Sequence, residues 1–222
     1  MSSLKAGAVR HLQQALSDMI YKELKCTVFH RPEFDDWEKS EAGAEVVFDL
    51  CPSNGLWIKA RRQVRGQSVP RVVLVFPLSI SDANEFSRPS AWASWHECWQ
   101  SEGRKVFRLN SAGWTLFWGY HQDESKIQIA RAEWRRIDED EAKEHPQPHW
   151  HFDQQVPCQE NDERQNRGYL RMHRFHFAMG AWSRSPYPSC WQRTLLDDLP
   201  DWAINTLRLI QDQSKSLSDF GS

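Results

Sequence analysis

Gly113-Trp114-Thr115-Leu116-Phe117-Trp118-Gly119-Tyr120 is the stretch whose reading decides the fold. Trp114, Leu116 and Trp118 alternate with Thr115, Phe117 and Gly119, the period-2 pattern of a strand. A polar turn, His121 to Ser125, follows, and the chain returns as Lys126-Ile127-Gln128-Ile129-Ala130-Arg131-Ala132-Glu133-Trp134. Two such runs joined by a short polar link predict an antiparallel hairpin. On the return strand Ile127, Ile129, Arg131 and Glu133 are expected to share a face, with the charged pair ending an apolar row. Arg135 to Glu144 reads as a charged, exposed connection.

The hairpin leads into Glu144-His145-Pro146-Gln147-Pro148-His149-Trp150-His151-Phe152-Asp153. Each proline fixes φ and denies the residue before it the α region, so the segment is extended. Trp150 and Phe152 then alternate with His149, His151 and Asp153, giving one aromatic face and one of His, His and Asp. This is the natural third strand of a meander. A polar loop over 157–168 separates it from Leu170 to Trp182, which carries His173 and His176 and reads as a strand or a strand followed by a helix. On a helix both histidines could face the first two; on the strand favoured by Phe175 and Phe177 only His173 does.

Upstream, Leu4, Val9, Leu12, Leu16, Met19, Ile20 and Leu24 recur at three- and four-residue spacing, predicting an amphipathic helix over 3–25 with His11 on its solvent side. Cys26 to His30 reads as a short strand ended by Arg31-Pro32, and 33–45 as an acidic loop turning at Gly43. Ala44 to Leu50, Leu56 to Val64 and Arg71 to Leu78 read as three consecutive strands, the first two joined by a Pro52-Ser53-Asn54-Gly55 turn of the kind that links antiparallel neighbours. Lys59, Arg61 and Gln63 share a face that reads as the wet side of a sheet. Trp92, Trp95 and Trp99 fall at i, i+3 and i+7, predicting a helix whose aromatic stripe enters the core. Pro200-Asp201 opens a last helix, with Leu199, Ala203, Thr206, Leu207 and Ile210 on one side and a polar tail after Gln213.

A chain of 222 residues is long enough to bury a substantial core. Net charge is −2, so no bulk excess draws it to nucleic acid or anionic lipid, and specific local charges must serve instead. Twelve tryptophans argue for an aromatic-packed folded protein. Five cysteines, an odd number without CxxC spacing, predict reduced, mostly buried thiols in a cytoplasmic protein. No apolar run reaches the roughly 20 residues of a membrane span, and no signal-peptide core is found near Met1, so no membrane partner is expected.

Imidazole and carboxylate both ligate metals, and two histidines at i and i+2 on one strand face can share an ion. His149 and Asp153 stand roughly 13 Å apart along a straight strand, and zinc–ligand bonds are only about 2 Å, so the whole row cannot hold one metal. The workable set for a divalent ion, zinc or manganese, is His149 and His151 with a further ligand from His173, Glu133 or His145. Asp153 would orient an imidazole or act as a base. Without metal, two histidines beside Arg131 or Arg171 suit general acid–base cleavage of a phosphodiester, with the guanidinium on the non-bridging oxygens. A partly buried His-x-His bonded to main chain and Asp153 would instead be structural. His-hydrophobic-His also occurs in single-strand nucleases with a catalytic tyrosine, for which Tyr169 is the nearby downstream residue.

Trp118 to Tyr120, Ala132-Glu133-Trp134 and His145-Pro146-Gln147-Pro148-His149-Trp150-His151 make a strand, a turn, a strand ending in a charged residue, then His-Pro-x-x-His-x-His. This part of the chain is similar to the C-terminal half of small bacterial TumE-type toxins, and resembles some uncharacterised defence- or toxin-associated families. Where such toxins often carry an Arg-Tyr-Asp-type triplet, this chain has Ala132-Glu133-Trp134. The resemblance implies a bacterial toxin or defence component that acts on nucleic acid and is held by an operon-encoded partner protein.

These readings predict a single α+β domain over 1–222: a mainly antiparallel sheet flanked by N-terminal, central and C-terminal helices. The expected function is a histidine-dependent phosphodiesterase or nuclease. His149 and His151 are central to it, His173 and Asp153 support them, and Arg131 or Arg171 binds phosphate. The competing class is a non-catalytic interaction module whose exposed tryptophans contact a neighbour in a larger assembly.

Overall fold

The hairpin expected over 113–134 is present as β7 (Val106–Gly119) and β8 (Ile127–Arg135), and His149–Phe152 adds to it as β9. The structure, a computed structural model, describes residues 3–64, 67–78, 89–124, 126–136, 148–152 and 188–218. The turn between β7 and β8 is tied by the Asp123 carboxylate, which accepts from the Tyr120 N–H, and by Lys126. The Lys126 ammonium donates to the Tyr120 and Asp123 carbonyls and lies 4.3 Å from the centroid of the Trp92 ring.

The chain enters through a two-residue strand, β1 (Leu4–Lys5), and the helix α1 (Ala6–Leu24), then makes β2 (Val28–Pro32). A single 3-10 turn, Trp37–Lys39, precedes β3 (Glu45–Pro52). β4 (Leu56–Val64), β5 (Gln67–Pro77) and β6 (Ser90–Gly103) follow, and a long helix, α2 (Pro188–Ser218), closes the described chain. The strands form one antiparallel sheet ordered β2-β3-β6-β7-β8-β9. β1 pairs with the start of β7, and β5 pairs with both β4 and β6. The α+β class holds, with helices at the two ends of the chain.

No central helix is found among the described residues. Trp92, Trp95 and Trp99 lie on β6, which pairs with β7 from Ser90↔Gly119 to Gly103↔Val106. Ala91, Ala93, Trp95, Glu97 and Trp99 are successive odd positions facing the helices, and Trp92 points to the other face. The carboxylate of Glu97 interrupts that row and hides its period of two. Arg104 and Lys105, with φ of 51° and 60°, make the two-residue turn into β7 in the left-handed conformation such hairpins need. Neither residue is a usual choice there.

The Asn54-Gly55 turn is also reassigned. β3 does not pair with β4; its neighbours are β2 and β6, and the turn passes the chain to a separate β4–β5 hairpin. A bulge between Leu116 and Phe117 on the β7–β8 ladder changes the facing of β8. Ile129 therefore packs in the helix-side core with Ala130 and Ala132, while Arg131 and Glu133 lie on the opposite face.

Both helices cover one face. Val9, Leu16, Ile20 and Leu24 of α1 and Leu199, Ala203, Leu207 and Ile210 of α2 meet Val46, Phe48 and Leu50 of β3, Trp95 and Trp99 of β6, and Trp114 and Leu116 of β7. The Trp114 indole donates to the Ala203 carbonyl at 2.8 Å, and Arg208 pairs with Glu23 at 2.8 Å, which joins the two helices. α2 begins at Pro188 rather than Pro200, which lies within it, and it extends past Gln213. On the other face Ile58 and Val75 of the β4–β5 hairpin pack over Trp92 and Phe117. Among the described cysteines Cys26, Cys51 and Cys98 are free thiols, and no described helix is long and apolar enough to cross a membrane.

Candidate functional site

Antiparallel register fixes which side chains share a face, because directly opposed residues point the same way. β8 and β9 pair Arg131 with His151 and Glu133 with His149. Four residues singled out from the sequence thus occupy one patch of the helix-free face. Within it Arg131 Nε is 2.9 Å from Glu133 Oε2, and His151 Nε2 is 3.8 Å from the same oxygen. The His151 side chain is 48 % exposed, against 13 % for Glu133, so the imidazole is the solvent-reaching member. Trp150, of opposite facing, packs against the helix-side core and anchors the strand. His145, Asp153, Tyr169, Arg171 and His173 lie outside the described residues.

The patch is one end of a longer polar row that the sequence reading missed. Continuing from His149 and Glu133, the register runs through Gly113 on β7, His96 on β6, Asp49 on β3 and Arg31 on β2. Neighbouring strands are about 4.8 Å apart, which sets the spacing of these positions. The neighbouring row places Ser94, Thr115, Arg131 and His151 side by side. Cys51 lies near Asp49; burial raises its thiol to about 11, with the Asp49 charge adding and Arg31 opposing, so it is protonated and unreactive at neutral pH. No signal local to His96 or Asp49 marks them, since their neighbours come from distant parts of the chain. Among the described residues no three His, Cys, Asp or Glu side chains are grouped to hold a metal ion.

Gly113 separates the His96 side of the row from the Glu133 side, and the packing there demands glycine. A Cβ would stand 2.7 Å from the Ala132 carbonyl oxygen, 3.3 Å from Glu133 Cα and 3.5 Å from His96 Cε1. Backbone cannot yield as a flexible side chain does. Gly113→Ala is expected to destabilise the protein by about 1–3 kcal/mol, as overpacking does. The denaturant midpoint measures it, and a change under about 0.5 kcal/mol would show that β8 moves aside freely.

A second constellation lies on the helix side. Glu97 is fully buried, and its carboxylate accepts from Gln13 Nε2 at 3.1 Å, Trp95 Nε1 at 3.1 Å and Trp99 Nε1 at 2.9 Å. His30, opposite Leu50 in the β2–β3 ladder, brings Nε2 to 3.2 Å from Glu97 Oε1, an ion-pair distance with the N–H direction off the oxygen. Its Nδ1 is 3.1 Å from Ser17 Oγ. Burial pushes the Glu97 carboxyl up, but the adjacent His30 and the hydrogen bonds from Trp99 and Gln13 outweigh it and hold the group at about 2. A signal for this cluster exists in the sequence. Gln13 and Ser17 occupy buried positions of the stripe 9, 13, 16, 17, 20, 24, just as Glu97 occupies one of the odd row of β6.

Compared with known proteins, the chain matches no family model, no curated protein and no solved structure. The functional reading therefore rests on these residues.

Proposed function

We propose that the chain is a histidine-dependent phosphodiesterase acting on nucleic acid, a component of a bacterial toxin or defence system, with its reaction centre on the β8–β9 patch. The observation that carries this is the register pairing of Arg131 with His151 and Glu133 with His149, which gathers a cation, a carboxylate and two histidine positions on one face. In this reading His151 takes the proton of the attacking hydroxyl or water, and His149 returns one to the leaving oxygen. Arg131 binds the non-bridging oxygens, where negative charge grows in the transition state. Glu133 holds Arg131 and lies close enough to His151 to stabilise its protonated form. A divalent ion, zinc or manganese, on His149, His151 and Glu133 is the alternative chemistry for the same residues.

A second reading has its own observation. Trp57 and Val72, on one face of the β4–β5 hairpin, are 51 % and 56 % exposed, and Arg31 stacks over Trp57 at 5.7 Å. That surface suits a docking module for an operon-encoded partner, although Trp37, Trp92, Trp95, Trp99, Trp114, Trp118, Trp134 and Trp202 are buried.

Fluorogenic single-stranded RNA and DNA oligonucleotides test the enzyme reading. His151→Ala and Arg131→Ala should each lower cleavage about 10²–10⁴-fold while the melting temperature holds, since neither side chain is in the core. Cleavage that survives a chelator supports acid–base catalysis; loss restored by zinc or manganese supports the ion. Wild-type protein that cleaves neither substrate, or variants that cleave as well as wild type, sink the proposal and leave the docking surface.

A further inference from the structure

Ser17, His30 and Glu97 form a hydroxyl–imidazole–carboxylate chain at the wall of a cleft, on the opposite side of the sheet from the β8–β9 patch. The cleft has a volume of about 430 Å³ and is lined by Arg10, Gln13, Gln14, Ser17, His30 and Trp37 among others. That size is in the range of small-ligand sites. The helix supplies Arg10, Gln13, Gln14 and Ser17 at i, i+3, i+4 and i+7, one stripe of α1. This stripe adjoins the apolar one that docks α1 on the sheet, so the cleft is built by the same contact that folds the protein.

The Glu97 carboxylate can only accept, and Gln13, Trp95 and Trp99 already donate to it. His30 stands between the two, with Nε2 3.2 Å from that carboxylate and Nδ1 3.1 Å from the Ser17 hydroxyl, so the tautomer with its proton on Nε2 turns the Nδ1 lone pair to that hydroxyl. A hydroxyl, a base in contact with it and an acid behind the base are the parts of an activated nucleophile. The two ring nitrogens are simply used in the reverse sense from the familiar hydrolases.

We propose that Ser17, activated by His30 and Glu97, is the nucleophile of a second site that accepts a small carboxylic ester in this cleft. Ser17 Oγ attacks the ester carbonyl carbon as its proton passes to His30 Nδ1. The bond to the alcohol oxygen breaks, and that oxygen leaves with the proton from Nδ1. Water then attacks the acyl-Ser17 carbonyl, gives one proton to Nδ1, and the bond to Oγ breaks as Oγ takes that proton back. Glu97 faces the imidazolium formed in both steps. Arg10, ion-paired with Glu38 and 5.9 Å from the centroid of the Trp37 ring, is the cleft's cation for the oxyanion.

A fluorophosphonate probe and intact-mass spectrometry decide the matter on the full-length protein. Wild type should gain one adduct, located by peptide mapping at Ser17, and hydrolyse p-nitrophenyl acetate. Ser17→Ala, which removes one oxygen without changing the packing volume much, should lose the adduct and the hydrolysis while remaining folded. His30→Gln keeps a polar group of similar reach and should slow labelling about 10²-fold or more. No adduct on folded wild type, an adduct elsewhere, or labelling of Ser17 at an unchanged rate in His30→Gln would overturn the proposal. The three residues would then be a polar fastening between α1, β2 and β6.

Discussion

Glu97→Ala should lose about 3–5 kcal/mol of stability, the cost of removing one member of a buried, hydrogen-bonded ionic group. The reason lies in what remains. Gln13, Trp95 and Trp99 each donate into the carboxylate, and His30 faces it, so truncation leaves four groups from three elements without an acceptor. Each buried unsatisfied donor costs about 1–3 kcal/mol, and their sum is limited because the cluster relaxes as a unit. The missing volume adds a cavity beside Trp95 and Trp99 at the centre of the core. For a chain of this length the expected fall in melting temperature is about 10 °C or more. Glu97→Gln fills the space and keeps one acceptor oxygen, so it should recover part of the loss. Denaturant titration of wild type and both variants checks the order. A Glu97→Ala variant within about 1 kcal/mol of wild type would mean that the indoles and the amide find other partners, and that the carboxylate is not what fastens α1 to the sheet.

The parts of this fold that could be read from the sequence are those whose partners are adjacent in the chain. β7, β8 and β9 follow one another as a meander, so alternation around Trp114 and around Trp150 points to all three strands. The helix stripes of α1 and of Leu199 to Ile210 were equally local. What failed depended on distant contacts or on a single inserted residue. The bulge at Ile129 reverses facing by one position, which no propensity registers. β6 pairs with β3 and β5 on one side and β7 on the other, so the strand is stabilised by segments the tryptophan spacing says nothing about. A turn signal such as Asn54-Gly55 specifies a reversal of the backbone, and only the rest of the sheet decides whether the flanking strands pair. The polar residues of the core were the most informative clue left unread. Gln13 and Ser17 on an apolar helix stripe, and Glu97 in an apolar strand row, each require a partner once buried, and they satisfy one another through His30.

Acid sensitivity should follow from the same carboxylate. Its folded value is about 2 against an ordinary 4.5, so between these limits the unfolded chain binds a proton that the folded chain does not. Stability therefore rises with pH across this window. The contribution is complete above about pH 4.5, declines as pH falls through the window, and is gone below about pH 2. A displacement of that size corresponds to about 3 kcal/mol for a carboxylate with no solvent screening. His30 is the titratable group against Glu97; Gln13, Trp95 and Trp99 are neutral donors, and protonation of the carboxyl removes part of its capacity to accept from them. Subtracting the unfolding free energies of Glu97→Gln from those of wild type at each pH isolates the effect, because the surface carboxylates are common to both. Below about pH 4.5 the difference should shrink by up to about 1.4 kcal/mol per pH unit. A difference that stays constant from about pH 7 to about pH 3 would mean that Glu97 takes up its proton alike in the folded and unfolded chains, and one that grows as pH falls from about 7 to about 4.5 would mean that Glu97 is already protonated in the folded protein. Its two oxygens could not then both be acceptors, and the arrangement that connects Gln13, the indoles, His30 and Ser17 would need another proton count.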